Sequence, residues 1–562
     1  MLCGFWTIPL TAQNRYDIVI DEIMADPSPV VGLPNNEWVE LKNVSGHAIN
    51  LQGCRLSDLT TVSGPLPSFI LQPDSFLIVC SSGALNTMTA FGTAVSVTSF
   101  PSLDNDGDLI SLRSSAGKVI HAVNYSVKWY ESELKKDGGW SLEMKDPARP
   151  CADKNNWAAS TASNGGTPGK KNEVNASITD QTGPRLLRSY STDSVTIVLV
   201  FNEPVDSLAA TDPAHYRFSH SLSPLSIRTN PPLFNSVTIL LQTAMQAGTV
   251  YAITATGIPD CGNNSMNGAE QIRAGIASDP VAGEWIINEI LFDPRPSGGD
   301  YLELFNNGHH IFDASRLYIA NRNSGGTVAS VKPISSVPYF IYPGDHIVLT
   351  EDAAALDREY FLKDPDAVLE MPVLPAFPET EGTALALDAN GNVVDELHYN
   401  KDWHFKLITD PEGVALERID PAGHTQDPMN WHSASYVSGY GTPGYKNSQY
   451  KRTDPAPETV SVSPALFSPD NDGRDDVAVI RYDADRTGVV ATVTIFSASG
   501  VPVKVLARNQ LTGMHAEWKW DGLDDHGRAL PAGVYIVLTR LFSTDGKMAD
   551  LKNGVVLVRT IK

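Results

Sequence analysis

Short apolar runs broken by polar positions recur along the whole chain. "DIVIDEIM" (17–24), "EWVELKNV" (37–44), "SFLIVCSS" (75–82), "DLISLRS" (108–114) and "KVIHAVNY" (118–125) are five of them. Each is strand-length, rich in β-branched residues or alternating, and bounded by Gly, Pro, Asn or Asp. Helical periodicity is rare, and "EDAAALDREYFLK" (351–363) is the best helix candidate. The pattern predicts an all-β chain of tandem Ig-like sandwich domains, arranged like beads on a string. A length of 562 residues leaves room for about four of them.

The pattern also repeats itself. "IVIDEIMADPSP" (18–29) pairs with "WIINEILFDPRP" (285–296), and "EWVELKN" (37–43) with "DYLELFN" (300–306). "SLEMKDP" (141–147) pairs with "ALERIDP" (415–421), and "NNW" (155–157) with "MNW" (429–431). Each series ends on one word, Gly166-Thr167-Pro168-Gly169 and Gly441-Thr442-Pro443-Gly444, with Lys-Asn beginning two residues later. Pro and then Gly at the centre of a turn predict type II geometry, with φ > 0 at the glycine. Read from sequence, the word marks a domain end and carries no chemistry of its own.

Both copies resemble the lamin-tail domain, an Ig-like sandwich. The likeness rests on Asp21-Glu22-Ile23 and Asn288-Glu289-Ile290, on Glu40-Leu41-Lys42-Asn43 and Glu303-Leu304-Phe305-Asn306, and on the closing Gly-Thr-Pro-Gly. Residues 14–175 and 281–450 are the expected copies. The stretch between them (176–280) resembles a bacterial Ig-like domain through Phe201-Asn202-Glu203-Pro204-Val205-Asp206 and Asp260-Cys261-Gly262-Asn263. The tail (451–562) resembles the Ig-like domain of flagellar hook-assembly proteins and of type IX secretion signals. Phe467-Ser468-Pro469-Asp470-Asn471-Asp472-Gly473, Trp520-Asp521-Gly522 and Pro531-Ala532-Gly533-Val534-Tyr535 carry that likeness. These resemblances imply an exported, non-catalytic surface protein with a structural or adhesive role. Its expected partners are a protein or glycan ligand and the secretion machinery. Two alternatives stand beside it: a carbohydrate-binding accessory protein, and an extracellular hydrolase or nuclease component.

Composition narrows this. Lys and Arg total 42 against 65 Asp and Glu, a net charge of −23, which argues against a nucleic-acid partner. "MLCGFWTIPLTAQ" (1–13) reads as the remnant of a secretory signal peptide, and no later run is long enough to span a membrane. The five cysteines form no C-x-x-C pair; Cys54 and Cys80 either bridge two strands or remain buried thiols.

Candidate chemistry is sparse. Asp470, Asn471, Asp472, Asp475 and Asp476 crowd a tight turn around Gly473 and suit Ca²⁺, although the EF-hand spacing is absent. "LDNDGDL" (103–109) is a second acidic turn. Trp129 and Trp403 fall at matching places and could stack on a sugar or pack in a core. No nucleophile or metalloprotease motif occurs, so no catalytic residue is assigned, and the pair His309-His310 reads as turn residues. Glu22, Glu40, Glu289 and Glu303 recur in both copies; the expected role is structural, with paired-carboxylate hydrolysis as the alternative.

Overall fold

The computed structural model describes residues 14–451, 458–484 and 486–559, without the side chain at 153. The signal-peptide reading of 1–13 lies outside the described residues. The chain is almost wholly β and divides into two compact units, Met1–Ile276 and Ala277–Lys562. No helix among the described residues is long and apolar enough to cross a membrane.

In the first unit, a six-stranded sheet runs in the order Trp157–Ala159, Leu142–Met144, Ile18–Met24, Trp38–Asn43, Phe76–Ser81, Ala94–Val97. Its last pair is parallel. A three-stranded sheet of Arg55–Ser57, Gly107–Arg113 and Val119–Ser126 faces it. Ile18, Ile20, Val39, Leu41, Leu142 and Met144 fill the core between them. Trp38, Met24, Ile78 and Cys80 lie in a separate apolar cluster that includes Met88, from the short helix Leu85–Met88. The central strand is therefore buried on both faces, and every residue of Ile18–Met24 is inaccessible.

The second unit repeats this arrangement. The strand order is Trp431–Ser433, Leu416–Arg418, Trp285–Leu291, Tyr301–Asn306, His346–Thr350, Val368–Glu370, again with a parallel last pair. The central strand carries the same bulge in both copies, between Ile20 and Glu22 and between Ile287 and Glu289. The expected helix is present but shorter, Ala353–Glu359, with the Asp352 side chain accepting from the Ala355 N–H at 2.8 Å. It stops because Tyr360 is already extended, and its Ala355 and Leu356 are the buried residues.

Each unit also holds a second core. Residues 186–274 form sheets of four and three strands around Ile197, Leu199, Ile239 and Ile253. Residues 459–557 form sheets of three and five strands around Trp520, Tyr535, Val493 and Val537. Within the first unit, Cys151 and Cys261 are disulfide-bonded across 110 residues. Cys54 and Cys80 are buried in two separate apolar clusters, so they do not bridge to each other. The Arg15 guanidinium lies 4.2 Å from the Phe234 ring and donates to Ser207 Oγ at 3.2 Å. Within the second unit, Gln449 donates to the carbonyls of Ser433 and Thr512, and Phe405 packs with Val490 and Leu511.

Candidate functional site

Alternation along three neighbouring strands places three glutamates side by side. Glu22 stands opposite Glu40 on one side and Glu143 on the other. Their neighbours Val39, Leu41, Leu142 and Met144 point into the core, so the glutamates point to the opposite face. Glu289, Glu303 and Glu417 make the same row in the second copy. All six are fully buried. Glu143 and Glu417 received no role from sequence, although both stand in the matched words "SLEM" and "ALER".

The repeated word covers each row. In the second copy the Thr442 N–H donates to Glu289 Oε1 at 2.9 Å and the Gly444 N–H to Glu303 Oε2 at 2.7 Å. Thr442 Oγ1 lies 2.7 Å from Glu289 Oε2 and 2.8 Å from Glu417 Oε1. The Gln449 N–H and Ser448 Oγ complete Glu417, each at 2.8 Å. The first copy is built alike. Thr167 donates from N to Glu22 at 2.7 Å, Gly169 N–H meets Glu40, and Thr167 Oγ1 is 2.9 Å from Glu143 Oε1. Asn172 and Asn447 then tie the chain down through two carbonyls each.

The turn has the predicted form. Gly169 and Gly444 have φ of +82° and +84°, and the amides of Lys170 and Tyr445 return to Thr167 and Thr442. Gly166 is required for another reason: a Cβ there would stand 2.8 Å from Glu22 Oε1. The expectation that the word has no chemistry of its own is therefore corrected. It supplies N–H and O–H donors to buried carboxyls, beside those from Ser141, Tyr301, Ser448 and Gln449.

Three adjacent buried carboxyls cannot all be ionised. The geometry says so directly, because one threonine hydroxyl proton cannot serve the two oxygens that flank it. Burial, then repulsion from Glu143, pushes Glu22 up to about 8. Burial likewise raises Glu40 and Glu289, and Glu417 goes to about 7. The fold thus holds protons that the unfolded chain releases near 4.5, so rising pH favours unfolding. The loss runs from 4.5 to about 8 for Glu22. His121 and His404, held neutral by burial, oppose it only below 6.5. The thermal midpoint should therefore fall as pH rises from 6.5 to about 8, and Glu22→Gln should flatten that fall. Differential scanning calorimetry across that range checks it; a midpoint that rises with pH contradicts it.

Comparison with known proteins bears on the first copy. Residues 11–126 match the Lamin Tail Domain family model. No curated protein matches the chain. Among solved structures, the N-terminal part of the bacterial S-layer protein SbsC aligns at 14% identity and a TM-score of 0.16, covering 29% of this chain and 44% of that one. A DUF4876 family protein from Bacteroides thetaiotaomicron aligns at 14% identity and a TM-score of 0.17, covering 34% and 78%. A Ca²⁺-stabilized adhesin from an Antarctic bacterium that binds ice aligns at 8% identity and a TM-score of 0.12, covering 98% and 100%.

The remaining candidates lie away from the two glutamate rows. At 470–476 the carboxylates of Asp470, Asp472 and Asp476 come within 4.8 Å of one another. Asp476 accepts from the amides of Asn471 and Gly473, at 2.6 and 2.9 Å, which shapes the turn. Asp475 stands outside the trio, and its carbonyl accepts from the Ser468 N–H. Asn471 and Asp475 take positive φ. The acidic turn at 103–109 gathers no such trio; Tyr125 and the Gly107 amide bond the Asp104 carbonyl. Trp129 and Trp403 are half-buried against the cores of the first and second copy, and Trp129 lies 6.2 Å from Trp157. His309 and His310 are exposed, and His310 pairs with Glu284 at 2.7 Å.

Proposed function

We propose that the chain is an exported multidomain protein of the cell surface, whose work is structural or adhesive rather than catalytic. The disulfide between Cys151 and Cys261 carries this reading. Such bonds form and persist where thiols are oxidised, outside the cytoplasm. Two further observations support it. The recurring glutamates are sealed under the closing turns, each fully buried and bonded to them, which leaves a substrate no access. An excess of 65 acidic over 42 basic residues keeps such a chain soluble and open to divalent cations.

On this reading the lamin-tail and Ig-like modules present loops to a protein or glycan partner. Residues 451–562 serve type IX export and attachment, and the 470–476 turn takes Ca²⁺ through Asp470, Asp472 and Asp476. The experiment is to block thiols in intact cells before lysis and map the cysteines by mass spectrometry. The reading expects Cys151 linked to Cys261, with the protein accessible to protease on whole cells. Free, alkylated Cys151 and Cys261 in a protease-protected protein would overturn it.

A further inference from the structure

The two lamin-tail copies differ at the bulge of the central strand. In the second, Asn288 Nδ2 donates to Glu303 Oε1 and to Asn447 Oδ1, each at 2.7 Å. His346 Nδ1 also meets Glu303 Oε1, at 2.8 Å. Register puts Asp21 where Asn288 stands, Glu40 where Glu303 stands, and Phe76 where His346 stands. The first copy thus loses both nitrogen donors at once.

The consequence is visible in its polar atoms. Asp21 Oδ1 and Glu40 Oε1 are buried with no hydrogen-bond partner, and the two residues are 1% and 0% exposed. If both were ionised, two anionic oxygens would stand where the second copy sets an N–H against an oxygen. A buried pair of that kind does not hold two charges. The groups that act on it are Glu22 on the same strand, Glu143 on one neighbouring strand and Lys42 on the other. Lys42 is the one cation among them; its ammonium sits 5.0 Å from the Phe76 ring centre.

We propose that Asp21 is held in the fold as the neutral acid, its O–H doing for the first lamin-tail copy what the Asn288 amide does for the second. The first copy then closes only with a proton bound at this place, and it loosens as that proton leaves to solvent. This is independent of the export reading. Burial pushes Asp21 up to about 7, in keeping with the geometry. The sign follows: the stability that Asp21 brings is whole below 3.8, where the unfolded chain is also protonated, and is lost as pH climbs through about 7.

The test compares thermal unfolding of the full chain with Asp21→Asn and with Asn288→Asp, from about pH 4.5 to about pH 8.5. His121 and His404 are common to all three proteins and cancel in the differences, whereas Glu22 and Glu40, which an ionised Asp21 repels, shift with it in the same direction. The midpoint of Asp21→Asn minus wild type should rise with pH by roughly 5–10 °C and level off above about pH 7. Asn288→Asp minus wild type should fall over the same range. If Asn288→Asp does not fold, the Asp21→Asn series decides alone. A difference that stays flat, or that falls as pH rises because an ionised Asp21 was held by Lys42, overturns the proposal.

Discussion

Replacing Thr442 by Val lowers the thermal midpoint of the second unit by roughly 5–10 °C. The side chain keeps its shape and loses only the hydroxyl that joins Glu289 to Glu417, at 2.7 and 2.8 Å. Both carboxyls are fully buried, so neither finds water in exchange. With one of the two carboxyls ionised and the other neutral, the bonds contribute about 1.5–3 and about 0.5–1.5 kcal/mol, which puts the loss at about 2–4 kcal/mol. Thr442→Ser, which keeps the hydroxyl, should recover most of it. Thr167→Val should act alike in the first unit, where Thr167 meets Glu143 at 2.9 Å. Calorimetry of the three variants checks this; a midpoint unchanged by Thr442→Val would mean that the hydroxyl does not hold the clamp.

The second large effect is on the disulfide. Cys151 and Cys261 close a loop of 110 residues that takes in the Ig-like core of the first unit. Restricting a loop of that length in the unfolded chain is worth up to about 4.7 kcal/mol in the chain-entropy account. Urea unfolding of Cys151→Ser with Cys261→Ser should show the first unit losing about 3–5 kcal/mol, with the second unit unmoved. Equal midpoints with and without the bond would show that the bond adds nothing to the fold.

Much of this was legible in the sequence, and the limits have physical causes. The alternation of "IVIDEIM" and "WVELKN" gives strands, and the repeated order of words gives two copies with one topology. Glu22 and Glu40 stand in adjacent strands of one hairpin-like pair, so their recurrence is visible in the sequence. Glu143 belongs to a three-residue strand that joins the sheet from the other side, 121 positions from Glu22. Only strand order reveals that neighbour. The turn glycines were predictable from φ alone, whereas the donors Thr167 and Thr442 matter because of what the turn lies upon. Cysteine pairing has the same limit. Cys54 and Cys80 are near in sequence but fall in different clusters, while Cys151 finds Cys261 across a module.

In both copies of the repeated module, Gly-Thr-Pro-Gly closes the fold by holding buried carboxyls. Amide hydrogen exchange, read residue by residue, tests it most directly. The amides of Thr167, Gly169, Thr442 and Gly444 all end on buried glutamates. They should exchange as slowly as those of the central strands Ile18–Met24 and Trp285–Leu291, although they lie in loops. Exchange at the rate of an open surface turn would contradict the clamp.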